Sequence, residues 1–165
     1  MADTHPDPAL LGIYLNDHLA GATAGAELAK RLATAERGQP GEAVLSRLAE
    51  EIADDRAALL TCMSALEVPV RRYKTAAAWA GEKVGRLKPN GRLVSRSPLS
   101  VVEELELMRL GVEGKAAGWR TLRVRADIDP RLDTGRLDDL LDRARRQIDE
   151  LEELRVHATT AAFGG

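Results

Sequence analysis

Residues 41–67, GEAVLSRLAEEIADDRAALLTCMSALE, place Leu45, Leu48, Ile52, Leu59, Cys62 and Leu66 in one register, with Asp55 among them. The steps alternate between three and four, the spacing that sets one face of an α-helix against a neighbouring helix. A carboxylate on such a face is costly unless it is paired, hydrogen-bonded or bound to a metal. Glu51 lies one turn before Asp55 on the same side. Any fold for this chain must find partners for these two acids.

Three further long helices are expected. The first starts at Asp7-Pro8, an N-cap followed by proline at the first helical position, and ends near Gly38-Gln-Pro. Its seam is Leu11, Leu15, His18, Ala22, Gly25, Ala29 and Leu32, and the small residues Gly21, Ala22, Gly25 and Ala26 would let another backbone approach. Another runs from a Ser97 cap to about Ala126 on the seam Val101, Leu105, Met108, Val112, Trp119 and Leu122. A second face, Leu99, Val102, Glu106, Leu110, Glu113 and Ala117, points to neighbours on two sides. Gly111, Gly114 and Gly118 lie inside this helix, each costing about 1 kcal/mol relative to alanine, which close packing or a local helix irregularity would offset. The last helix begins between Asp133 and Arg136, carries Gln147 on its seam, and leads into a flexible tail over 160–165. Aromatics are only 3% of the chain and β-branched runs are absent, so the expected fold class is all-α, with an aliphatic core in one domain over 1–165.

The lone Cys62 excludes a disulfide framework. The N-terminus lacks the form of a signal peptide, and no apolar run reaches membrane-spanning length, so the expected location is the cytoplasm. The net charge of −2 is unevenly spread: residues 68–98 carry eight Lys or Arg and one acid, Glu82. This basic stretch over 68–96, with Tyr73 and Trp79 in it, is expected to be a helical crossover between helices two and three. Such a connection lets those two helices run parallel. A basic segment draped on acidic helices neutralises its own scaffold, and the near-neutral total argues against a dedicated nucleic-acid binder. The other reading of the same stretch is a site for an anion, a nucleic acid or an acidic partner.

Polar groups fall near the middle of each long helix: His18; Glu51, Asp54 and Asp55; Glu106 and Glu113; Gln147 and Glu150. With the crossover, this pattern resembles the ferritin-like superfamily, four-helix bundles that hold two metal ions among inward carboxylates and histidines. The family's Glu-x-x-His pairs read here as Glu51-Ile-Ala-Asp54 and Gln147-Ile-Asp-Glu150, so the spacing is kept while the residue types change. The resemblance implies a ferritin-like bundle, and, if a metal is held, His18, Glu51, Asp54, Asp55, Glu106, Glu113 and Glu150 as its ligands and iron or manganese as the ion. The competing assignment is a structural polar layer without cofactor: Arg56, Arg109, Lys115, Arg120, Arg143 and Arg146 are distributed among the acids. His18 would then be a hydrogen-bonded core histidine, with Asp55 or Glu113 as partner.

Gly111-Val-Glu-Gly114-Lys115 lacks the spacing of a phosphate loop, and no serine or cysteine has a positioned histidine. No catalytic residue is assigned. The expected function is a structural or interaction module that self-associates or binds a protein partner through its Ala/Gly patches and second apolar face.

Overall fold

The computed structural model describes residues 8–71 and 97–164, and both described parts are helical. Helix α1 spans Pro8–Ala35, α2 Glu42–Ala65, α3 Pro98–Ala126 and α4 Thr134–Phe163. Among the described residues there is no strand, and no helix is long and apolar enough to cross a membrane. The basic crossover read over 68–96 falls mostly outside the described residues, as do His5, Tyr73 and Trp79.

The caps follow from local chemistry. Ser97 accepts a hydrogen bond from Leu99 N at 3.3 Å with Pro98 behind it, and Asp133 accepts from Arg136 N at 3.0 Å. Helix α2 ends in a Schellman motif, with Val68 N bonded to Met63 O and Glu67 N to Ser64 O. Glu67 takes the left-handed position at φ 58°, where glycine is the usual occupant. Residues 160–163, which their composition marks as tail, continue α4 to its C-cap at Gly164.

Helices α1 and α2 form one antiparallel hairpin, α3 and α4 the more extensive other. Contacts between α1 and α3, and narrower ones between α2 and α4, join the two. Register follows from cross-helix pairs: Tyr14 Oη lies 3.0 Å from Thr121 Oγ1, and Arg109 reaches Glu152 while Arg123 reaches Asp138. Helix α3 is therefore antiparallel to both α1 and α4, and parallel to α2. Each helix sits at a corner with two neighbours.

The seams read from the sequence form the core, with Leu15, Leu32, Leu48, Leu122, Leu140 and Leu151 at most 2% exposed. Burying each such side chain stabilises the fold by about 1.5–3 kcal/mol. Three details differ from expectation. Met63, 0% exposed, takes the core position, and Cys62 is half-buried, its thiol pKa raised by that burial. The second face of α3 goes to solvent beyond Val102, leaving Leu110 65% exposed, because its corner position has no third neighbour among the described residues. Most of the glycines are not used for close approach: a Cβ on Gly21, Gly25, Gly111 or Gly114 would meet nothing within 4 Å. Of the five glycines read as packing sites, Gly118 alone admits a neighbour, His18, whose Nδ1 would lie 3.0 Å from such a Cβ.

Candidate functional site

Asp55 enters the core from the α2 seam and is 1% exposed. From α3, Lys115 Nζ donates to Asp55 Oδ2 and to Gln147 Oε1. From α4, Gln147 Nε2 donates to Glu51 Oε2 at 2.9 Å and more weakly to Asp55 Oδ2 at 3.4 Å. Arg143, one turn earlier on α4, brings Nε within 3.2 Å of Asp55 Oδ1. That contact has counter-charge without hydrogen-bond geometry, so Oδ1 has no donor. Arg47 closes the group at its edge, 3.5 Å from Glu51 and 3.1 Å from Glu150. Three cations and three carboxylates thus alternate through a layer where α2, α3 and α4 meet.

The magnitudes explain why the layer is built this way. A carboxylate stripped of water loses several kcal/mol of solvation, which only a close, well-placed opposite charge offsets. Lys115 brings that charge, but its own burial pushes its pKa below the ordinary lysine range, with Asp55 opposing the shift through charge and hydrogen bond. Gln147 suits its position because an amide brings an NH2 donor group and a carbonyl acceptor together. Its acceptor takes Lys115 while its donor takes Glu51.

Beside this layer, α1 and α3 part to leave a cleft of about 570 Å³, floored by α2. The bare backbone at Gly21, Gly25, Gly111 and Gly114 forms its mouth, and Leu28, Leu107, Met108 and Leu122 supply much of its apolar wall. Asp55 and Lys115 reach the cleft from the layer. His18 stands on the wall, half-buried, tilted against the Tyr14 ring at a centroid distance of 4.4 Å and packed on Gly118. Burial lowers the His18 pKa, with nearby Asp17 opposing. Trp119 lines the same cleft, and its buried indole N–H has no acceptor among the described residues.

Of the seven residues read as possible metal ligands, Glu51 and Asp55 meet in the layer and Glu150 joins at its edge through Arg47. Asp54 turns to solvent. Glu106 pairs with Arg155 at 3.7 Å and Glu113 with Arg109 at 3.9 Å, both away from Asp55. His18 packs on Tyr14 and Gly118 instead of bonding to Asp55 or Glu113. Among the described residues, no group of three or more His, Cys, Asp or Glu side chains is arranged to hold a metal ion.

Two residues central to this geometry were not singled out by sequence reasoning. Lys115 stood only as one cation among many, although the α3 seam jumps seven residues from Val112 to Trp119 and Lys115 fills the missing step. Asn16, 3% exposed, had no signal. It donates to Gly12 O at 2.8 Å and Pro69 O at 3.1 Å, and accepts from Arg71 N at 2.7 Å, tying the chain that leaves α2 to α1.

Over the described residues, fold and site together define an all-α four-helix bundle with a buried lysine–carboxylate layer beside an open apolar cleft. Comparison with protein-family models, curated proteins and solved structures finds no match.

Proposed function

We propose that the chain is a ferritin-like bundle whose polar layer is structural, serving as an interaction module without catalytic chemistry of its own. The observation that carries this reading is Lys115: its ammonium sits between Asp55 and Gln147, supplying the positive charge that a metal ion would otherwise bring to these ligands. The parallel course of α2 and α3 supports a crossover over 68–96 that returns the chain along the bundle. Exposed Leu10, one turn before Tyr14, Ile13 next to it, and Val124 and Ile128, beyond Thr121, lie towards one end of the α1–α3 pair. They are the surface we assign to self-association or to a protein partner.

Metal analysis of protein purified without chelator tests the reading against the alternative of an atypical iron or manganese site. The expected result is a substoichiometric metal content that does not fall in a Glu51→Gln/Asp55→Asn variant. One transition-metal ion per chain, lost in that variant, would overturn it.

A further inference from the structure

Lys115, Gln147 and Asp55 bring an amine, a carboxamide and a carboxylate together where little water reaches. The Lys115 and Asp55 side chains are 14% and 1% exposed, and Gln147 is 0% exposed. Lys115 Nζ touches both Asp55 Oδ2 and Gln147 Oε1. The Gln147 carbon Cδ lies one carbonyl bond, about 1.2 Å, beyond that oxygen. Gln147 Nε2 in turn lies 3.4 Å from the same Asp55 Oδ2 and 2.9 Å from Glu51 Oε2. One carboxylate oxygen therefore borders both the amine and the amide nitrogen. An ion pair alone needs only the first of these contacts.

We propose that Lys115 and Gln147 join in an amide cross-link between α3 and α4, with Asp55 carrying the protons and ammonium as the only other product. The step requires a metal-free layer, the reading that places Lys115 where an ion would sit. A single reaction within one chain turns over no substrate, so the interaction-module reading stands beside it.

The atoms balance without any co-reactant. Asp55 Oδ2 takes one proton from the Lys115 ammonium and leaves a neutral amine. The amine's lone pair forms the bond to Gln147 Cδ, after a rotation that brings Nζ over the amide plane. The Cδ–Nε2 bond then breaks, its electron pair goes to Nε2, and Asp55 passes its proton to that nitrogen. Ammonia leaves with the second proton shed by Nζ, so a bound ammonium is exchanged for a free one.

The surroundings favour this step. Burial already opposes the charge on Lys115, so the first proton transfer starts from a weakened ammonium. Well-oriented groups held in one site react as if at an effective concentration of about 10⁵–10⁸ M. The full burial of Gln147 keeps water from competing for Cδ. Lys115 and Asp55 both border the open cleft, which gives ammonia a way out. At neutral pH the ammonium form prevails and the reaction is slow; its rate rises as Lys115 loses its proton.

The test is mass spectrometry of the full-length protein, kept at neutral pH and at about pH 9, below the ordinary lysine value of about 10.4. The expected result is an intact mass that falls with time by one ammonia, faster at the higher pH. A tryptic digest of wild type should then contain residues 110–120 joined to 147–155. Lys115→Arg, which keeps the cation without the amine, should hold its full mass while retaining its circular dichroism. A wild-type mass that stays at the sequence value at both pH values overturns the proposal. An ammonia loss that persists in folded Lys115→Arg also overturns it, since it would lie elsewhere, for example at Asn90-Gly91. Loss of one water, with Lys115 joined to Asp55, overturns the assignment to Gln147. Metal analysis of the same sample separates the two possible failures. Metal-free protein of unchanged mass overturns the cross-link alone, whereas a stoichiometric ion lost in Glu51→Gln/Asp55→Asn overturns the metal-free layer beneath it.

Discussion

Lys115 holds two partners, Asp55 and Gln147 from two other helices, in place and bears a penalty for doing so. Its folded-state pKa lies below the ordinary lysine value, so the folded protein releases this proton before the unfolded chain does. Between the folded pKa and about 10.4, the unfolded state therefore binds more protons, and stability rises with pH. Below the folded pKa, the penalty is constant. Wild type should thus gain stability relative to Lys115→Met as pH rises through that alkaline window, read from urea midpoints at several pH values. Parallel curves would show that the Lys115 ammonium is not penalised by burial. At neutral pH, Lys115→Met should be the less stable protein by about 3 kcal/mol, because Asp55 keeps only the poorly aligned Arg143 charge and a weak bond from Gln147. The sequence made Asp55 conspicuous, since a carboxylate interrupting a three-four apolar spacing has few physical explanations. It hid Lys115, because a lysine near a seam is ordinarily a solvated edge. Only side-chain reach across the bundle distinguishes the two. Asn16 was hidden for a related reason: its partners at Pro69 and Arg71 are more than fifty positions away, and nothing local records them.

At the scale of the helices, spacing and caps were legible because they are local. Ser97-Pro98 and Asp133 start helices where their side chains can accept the first free N–H groups. What spacing could not tell was which faces find a neighbour, so the glycines of α1 and α3 were read as packing residues when most face open space. That distinction gives opposite expectations for one substitution. Gly25→Ala and Gly114→Ala should each stabilise by about 1 kcal/mol through helix propensity, raising the melting temperature by about 2–4 °C. Gly118→Ala should give no such gain, because its Cβ would lie 3.0 Å from His18 Nδ1 and 3.1 Å from Cε1. Thermal melts of the three variants decide it; a uniform rise would place His18 elsewhere than against Gly118. Glu67 offers an independent check on α2. Glycine at its φ of 58° should stabilise by about 1 kcal/mol, since the left-handed backbone strains any other side chain.

For the whole molecule, the two hairpins meet along unequal seams. The α1–α3 seam is opened by the cleft, and the α2–α4 seam is narrow. The polar layer lies where α2, α3 and α4 converge, so it ties one hairpin to the other through Lys115–Asp55 and Gln147–Glu51. The aliphatic core is one cluster drawn from all four helices, and the α3–α4 hairpin has cross-helix pairs of its own, Arg109–Glu152 and Arg123–Asp138, that do not involve Asp55. Removing Asp55 should therefore act on the joint between hairpins before it acts on the helices. Asp55→Ala leaves Lys115 and Arg143 without their carboxylate and should cost about 3–5 kcal/mol. Trp119, 3% exposed and set on the α1–α3 seam, reports on that joint, while helical circular dichroism reports on both hairpins. In a Trp79→Phe background, urea should unfold the parent with coincident transitions by the two probes. In the Asp55→Ala variant, the Trp119 transition should precede the loss of helix. Coincident transitions in the variant would mean that the apolar contacts alone hold the hairpins together, and that the buried layer sets the register of the bundle without adding to its cohesion.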